Sequence, residues 1–261
     1  MTYGRTSIIA FTAYTCVLLA FLFAPIAVVV LFSFDSKGIA AFPFQGPTLS
    51  WYQAVIADPI IRKAALNSVI VAAGTTLACI LIGTSAAFVI ARTRSPSTTA
   101  FAGLMALPLL LPHLLLGIAL LSFFNSIGIG LSLWTAIIGH VLITLPFLVF
   151  TLSARIAGID PQLSEAAATL GASPAKAFAT VTLPLIRSAM IGAALLVVAW
   201  SLDEFSVSFL TIGSSNTLPI IIWGQMRAGV SPTVNAISAL MVLATILLVC
   251  VVHRLADLKF R

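Results

Sequence analysis

The 261-residue chain is 61% hydrophobic, and only 8% of its residues are charged. An average soluble domain carries roughly 25% charged residues, so this chain cannot cover a water-facing surface and is predicted to be a membrane protein. Its formal charge of +6 comes from Lys and Arg residues that stand singly between apolar blocks, which argues against a nucleic-acid-binding protein, where basic residues cluster on one face.

Six blocks of the sequence meet the requirement for a membrane-spanning helix, which is about 20 mostly apolar residues. They cover residues 8–32, 66–91, 101–124, 132–153, 187–210 and 234–252. The first block is too long for the apolar part of a signal peptide and is predicted to be a retained helix. Prolines inside the blocks predict kinks, and these are Pro25, Pro108, Pro112 and Pro146. The predicted fold class is all-α integral membrane, with about six transmembrane helices.

The basic residues predict the orientation of these helices. With a cytoplasmic N-terminus, nine of the 13 Lys and Arg residues fall on cytoplasmic segments, and the four outside are Lys37, Arg62, Lys63 and Arg227. Because cytoplasmic loops carry the excess of Lys and Arg, both termini are predicted to be cytoplasmic. Three tryptophans then lie near the outer interface, where aromatic residues are enriched; they are Trp51, Trp134 and Trp223.

Two segments between the blocks are long. Residues 33–64 form an outer loop that is predicted to be irregular and then helical. Residues 154–186 form a cytoplasmic loop, much longer than the roughly 2–8 residues that usually connect two helices. The predicted domains are an N-terminal helix with the outer loop (1–65), a transmembrane domain that contains the cytoplasmic loop (66–253) and a cytoplasmic tail (254–261).

The cytoplasmic loop carries the start and stop signals of two short helices. Asp160 before Pro161 is an N-cap followed by a proline at the first helical position, and Gly171 is placed to end the helix. Ser173 and Pro174 repeat the starting device. The second helix carries Phe178 and Val181 on one face, and Leu183–Pro184 is predicted to break the chain before the fifth span. On spacing alone, this helix pair either docks on another protein or caps the bundle.

The loop resembles the EAA motif of ABC importer permeases. The resemblance covers roughly residues 66–252, and the motif lies before the fifth span, in the order of segments that the family has. By this resemblance, the residues of the ATPase-coupling loop are Glu165, Ala166, Ala167, Gly171, Ala172, Ser173, Phe178, Leu183 and Pro184.

The resemblance implies a type I ABC importer transmembrane domain in a bacterial inner membrane, with the cytoplasmic loop as its coupling helix. Its implied partners are two ATPase subunits, which bind ATP and Mg, a second permease, a periplasmic or lipid-anchored solute-binding protein and the lipid bilayer. ATP-driven closure of the ATPases would push the loop and swing spans four and five outward. The resemblance also implies that Glu165 pairs with a basic residue of the ATPase.

A second stretch, residues 201–240, resembles the end of polyamine-type permeases of the spermidine/putrescine group. It favours a polyamine or a related cationic solute. His113 departs from that group, because an acidic residue is expected at its position, and importers of other small organic solutes share the scaffold.

Four polar residues are candidates for the substrate path: Asp203, Glu204, His113 and Asn235. Asp203 and Glu204 lie about 24 Å along the fifth span, near its outer end, if that span begins near Arg187. They either attract a cationic solute or sit at the membrane interface. His113 either titrates along the path or is a satisfied core residue.

The sequence contains no phosphate-binding GxxxxGK[ST] loop, so the chain is predicted not to hydrolyse ATP and not to be an enzyme. Cys16, Cys79 and Cys250 form no CxxC pair, and no His, Cys, Asp and Glu cluster has metal-ligand spacing, so neither a metal nor a cofactor is predicted in this chain. The alternative function is a secondary transporter or channel that works without ATP. Such proteins often contain internal repeats, and none is evident here.

Overall fold

A computed structural model of the chain describes residues 5–37, 43–93, 95–229 and 231–257. The last four residues of the predicted cytoplasmic tail, 258–261, lie outside these ranges. Within them the chain is helical apart from loops and one isolated bridge between Asp35 and Pro47. The elements are α1 (Arg5–Phe32), α2 (Ser50–Ala57), α3 (Pro59–Arg92), α4 (Pro96–Leu110), α5 (His113–Ser126), α6 (Leu133–Ala157), α7 (Gln162–Thr169), α8 (Pro174–Ala177), a π turn (Phe178–Thr182), α9 (Leu183–Asp203), α10 (Ser206–Thr211), α11 (Leu218–Ala228) and α12 (Pro232–Asp257).

Five unbroken helical stretches are long and apolar enough to cross a membrane, and a bent pair, α4 with α5, makes a sixth if it is counted as one span. The all-α membrane fold with about six spans is therefore confirmed. The chain forms two compact units: residues 1–62 with 222–244, and residues 63–221 with 245–261.

The first unit contains α1, α2 and the loop that joins them. Ser33 hydrogen-bonds to the Tyr52 hydroxyl at 2.6 Å, and the Trp51 indole N–H donates to the Asp35 carbonyl at 2.8 Å. The Asp35 carboxylate is fully buried and accepts backbone N–H bonds from Lys37 and Gln45. These bonds tie the irregular loop to the start of α2.

The second unit is built around α6, the most buried of the candidate spans. Leu148, Leu152 and Ile156 of α6 are fully buried and pack with Ile186 and Val197 of α9. Small residues let the neighbouring helices approach closely. At Gly139 of α6, for example, an added Cβ would lie 2.5 Å from Val207 of α10.

Two of the predicted spans are interrupted. Block 101–124 breaks between α4 and α5, whose axes differ by 106°. Pro112 causes this break, because a proline disfavours the helical conformation at the preceding residue, and Leu111 is extended with φ −98° and ψ 138°. Block 187–210 breaks after Asp203, where Glu204 is extended with φ −72° and ψ 112°. In contrast, α1 and α6 continue through Pro25 and Pro146.

The prediction that Leu183–Pro184 breaks the chain is wrong, because the helical stretch runs from Pro174 to Asp203 through the π turn. A proline removes a backbone donor and its ring crowds the carbonyl four residues earlier, here that of Thr180. Thr180 lies inside the π turn, where the hydrogen bonds run over five residues instead of four, as from the Leu183 N–H to the Phe178 carbonyl. The wider turn lets the helix accommodate Pro184.

Candidate functional site

The first helix of the cytoplasmic loop, α7, is preceded by a side-chain bond from Asp160 and ends at a glycine, with Pro161 rather than Asp160 at its N-cap position. The Asp160 carboxylate accepts the Gln162 N–H at 3.0 Å. At the other end Gly171 has φ +84°, a conformation that favours glycine. Its N–H donates to the Ala168 carbonyl and the Ala172 N–H donates to the Ala167 carbonyl, which together form a Schellman motif. The turn after Glu165 is thus fixed by its own backbone.

The second helix of the loop is joined directly to the fifth span. The Ser173 hydroxyl accepts the Lys176 N–H at 3.3 Å, with Pro174 at the start of the helix. Phe178, in the π turn, packs edge to face on Phe88 of α3 with ring centroids 5.4 Å apart. Leu183 and Pro184 are the first two residues of α9. The second helix of the loop is thus continuous with α9.

Most of the surface of α7 is exposed in the part of the chain that the structure describes. None of its residues is buried, and Leu170, just beyond its end, is 88% exposed. The Glu165 side chain is exposed, and among the residues that the structure describes no ion pair involves it. The exposed side chains at this end of the loop thus include a carboxylate, that of Glu165, and the neighbouring Leu170. Such a surface fits docking on another protein better than capping of the bundle, for which apolar residues would be turned inward.

The two helix interruptions meet at a His–Glu pair. The Nδ1 atom of His113, the first residue of α5, lies 2.7 Å from Oε2 of Glu204. The other carboxylate oxygen of Glu204 accepts the N–H of Val207 at 3.0 Å, so Glu204 also caps α10. Glu204 is buried, whereas the side chain of His113 remains 32% exposed. The structure thus brings together two of the four residues that were predicted for the substrate path.

The other two predicted path residues differ from this pair. Asp203 is the last residue of α9 and is exposed, and in the described ranges no protein group donates to its carboxylate. Asn235 is buried in α12 and belongs to the other compact unit. An aromatic cluster continues from the pair: the His113 and Trp200 rings lie 5.9 Å apart, and those of Trp200 and Phe147 lie 6.3 Å apart.

Sequence reasoning missed a third polar group. His140 of α6 is fully buried, and its two ring nitrogens lie 2.7 Å from the hydroxyls of Ser201 and Ser208. The signal that could have found it is its position inside a span, because burying a histidine in a membrane segment is costly and makes it a candidate functional residue.

Comparisons with known proteins bear on this arrangement. Residues 79–259 match the family described as "Binding-protein-dependent transport system inner membrane component". The chain is 30% identical to the spermidine/putrescine transport system permease protein PotC of Haemophilus influenzae, over 91% of this chain and 92% of the relative. It is 32% identical to the putrescine transport system permease protein PotI of Escherichia coli, over 84% and 81%.

Among solved structures, the chain resembles that of a bacterial ABC transporter involved in the import of the acidic polysaccharide alginate, with a TM-score of 0.72. The alignment covers 100% of both chains at 15% identity, so it supports the fold alone. The family match covers more than half of the chain. This protein therefore belongs to the binding-protein-dependent transport system inner membrane components and is a multi-pass permease subunit of an ABC importer.

Proposed function

We propose that this chain forms half of a translocation path for an organic cation, a polyamine or a related compound, and couples it to ATP hydrolysis through the loop around Glu165. One observation carries the proposal. A single helical stretch of 30 residues joins the exposed loop at one end to Asp203 and the neighbouring Glu204 at the other. A displacement of the cytoplasmic end of this stretch by a partner would therefore reach Asp203 at its other end.

The proposed assembly contains two ATPase subunits that bind ATP and Mg, a second permease and a periplasmic or lipid-anchored solute-binding protein. This chain contributes no ATPase site of its own. In the inner membrane both termini face the cytoplasm, which places the α7 surface on the side of the ATPases. Residues 66–253 act as the transmembrane domain in this proposal, and residues 1–65 provide the additional N-terminal helix and outer loop.

The cationic solute is supported by the chemistry at the end of α9. Asp203 offers an exposed carboxylate, and Trp200 lies three residues earlier on the same helix, a spacing that puts both on one helix face. Carboxylates and aromatic faces both attract alkylammonium groups. The relatives PotC and PotI, by name, belong to transport systems for spermidine and putrescine. Glu204 is already bonded to His113 and Val207, so Asp203 is the carboxylate that is available to a solute.

The test is the uptake of radiolabelled putrescine by vesicles that contain the assembled importer. Asp203→Asn is expected to raise the putrescine concentration for half-maximal uptake about tenfold, which corresponds to about 1.4 kcal/mol. That loss is within the roughly 1–4 kcal/mol between unit charges 4 Å apart at high effective dielectric. Asp203→Glu, which keeps the charge, is the matched control. Equal uptake by Asp203→Asn and the unaltered protein would exclude Asp203 from the path.

A further inference from the structure

We propose that His140 is a positioning residue that holds the break between α9 and α10 at a fixed geometry. Its role is to let a displacement of the cytoplasmic loop that reaches Asp203, at the end of α9, pass on to Glu204 and α10 without being absorbed at the break. This inference rests on the proposed coupling function and adds a residue that neither the sequence motifs nor the family assignment identifies.

The geometry places His140 across the break. Ser201 lies in the last turn of α9, before the break, and Ser208 lies in α10, after it. His140 bonds to both hydroxyls at 2.7 Å from opposite sides of one ring. A neutral imidazole has one donor and one acceptor nitrogen, so one serine accepts a hydrogen bond and the other donates one. The rigid ring fixes the separation of the two helix ends.

The same short helix, α10, contacts α6 at two further points. The Thr135 hydroxyl donates to the Thr211 carbonyl at 2.6 Å. Gly139, next to His140, allows the Val207 side chain to lie against the α6 backbone. The N-terminus of α10 is capped by Glu204, which bonds to His113 at the start of α5. The end of α9 is thus connected through α10 to both α5 and α6.

The buried polar residues of this site are better explained by a role in fixing the geometry of the break than by a contribution to the stability of the fold. His140, Ser201 and Ser208 are all buried, and the hydrogen bonds of their side chains run to one another. Apolar residues of the same volume can fill such a space without the cost of burying polar groups. Hydrogen bonds, unlike apolar contacts, are directional, and a fully satisfied buried network specifies one arrangement. The network lies at the break between α9 and α10 and bonds to one residue on each side of it.

In this proposal, a displacement of the cytoplasmic loop travels along α9. The helical stretch from Pro174 to Asp203 contains 30 residues, which is about 45 Å at 1.5 Å per residue. Its cytoplasmic end is the coupling loop, and its other end is the last residue before the break. If the break bends, the loop moves without moving Glu204 relative to His113. If it is held, Glu204 and α10 move together with α9.

The test replaces His140 with phenylalanine, which has a similar ring and no hydrogen-bonding nitrogen. In the assembled importer, His140→Phe is expected to lower putrescine uptake per ATP hydrolysed about tenfold, with ATP hydrolysis retained. A residue that acts on stability alone would lower both in proportion. Ser201→Ala combined with Ser208→Ala is expected to produce the same loss, and adding His140→Phe to that pair should produce no further loss. An unchanged ratio of uptake to hydrolysis in His140→Phe overturns the proposal.

A second measurement does not depend on the solute. Spin labels are placed at Leu196→Cys on α9 and Ser214→Cys just after α10, both exposed positions, with Cys16 and Cys250 replaced by alanine. With His140 present, the distance distribution between the labels should be narrow and identical in nucleotide-free and vanadate-trapped importer. His140→Phe should broaden it. A distribution that already changes with nucleotide in the presence of His140 overturns the positioning role, whereas failure of putrescine uptake alone overturns only the proposed solute.

Discussion

Glu165→Ala is expected to reduce ATP-driven uptake by about tenfold or more while the chain remains folded and inserted. The proposed partner of Glu165 is a basic residue of the ATPase, and removal of one member of a docked charge pair costs about 2–5 kcal/mol. The fold should be unaffected because Glu165 is exposed and alanine is the best helix former. The measurement is solute uptake and ATP hydrolysis by the same vesicles, with the amount of inserted chain determined in parallel.

The matched control for this prediction is Gln162→Ala, an exposed polar position on the same short helix. It shortens a side chain on α7 without removing a charge, and it should leave uptake within a factor of two of the unaltered protein. Normal uptake by Glu165→Ala, or equal losses in both variants, would contradict the proposed role of the carboxylate.

Gly213→Ala is expected to destabilise the second unit by about 2–3 kcal/mol, because two penalties act at one residue. Gly213 has φ +72°, where any side chain is strained. An added Cβ would also lie 2.6 Å from the Leu131 carbonyl oxygen and 3.0 Å from its carbon. Both of these atoms belong to the backbone and cannot rotate away. The measurement is the temperature at which buried Cys79 becomes reactive to a thiol dye, in a protein with Cys16→Ala and Cys250→Ala.

Gly192→Ala is the control for Gly213→Ala. Gly192 is helical, and an added Cβ there would meet nothing within 4 Å. In the Gly192→Ala protein, the temperature at which Cys79 becomes reactive should stay the same or rise slightly, since alanine is more favourable than glycine inside a helix by about 1 kcal/mol. If Cys79 becomes reactive at the same temperature in the Gly213→Ala and Gly192→Ala proteins, the close approach of Gly213 to Leu131 is contradicted.

The cytoplasmic loop could be predicted from sequence in detail because its signals are local. Asp160, Gly171 and Ser173 each act on backbone groups within a few residues. Gly171 and Ser173 have the expected roles, whereas α7 begins one residue later than predicted, with Pro161 at its N-cap and Asp160 bonded to the Gln162 N–H. The end of the second helix could not be predicted in this way. Taken by itself, the Leu183–Pro184 dipeptide predicts a break in the helix. The π turn before it allows the helix to continue.

The two breaks in the spans and the contacts between them depend on long-range packing. His113 and Glu204 were both candidate residues, but they are 91 residues apart in sequence, and no local pattern indicates that they form a pair. His140 and its serines are separated by 61 and 68 residues. A lone polar residue in an apolar block gives no information about its partners, so this group emerges only when α6, α9 and α10 are assembled.

The most direct test of the central claim is to purify the tagged chain from its native membrane in mild detergent and to identify the proteins that accompany it. The account predicts that an ATPase subunit and a second permease co-elute with ATPase activity. It also predicts that both the ATPase subunit and the activity are lost when Glu165→Ala is combined with Gly171→Val, which strains the turn after α7. A chain that elutes alone, and whose transport persists in energised vesicles without ATP, would contradict it.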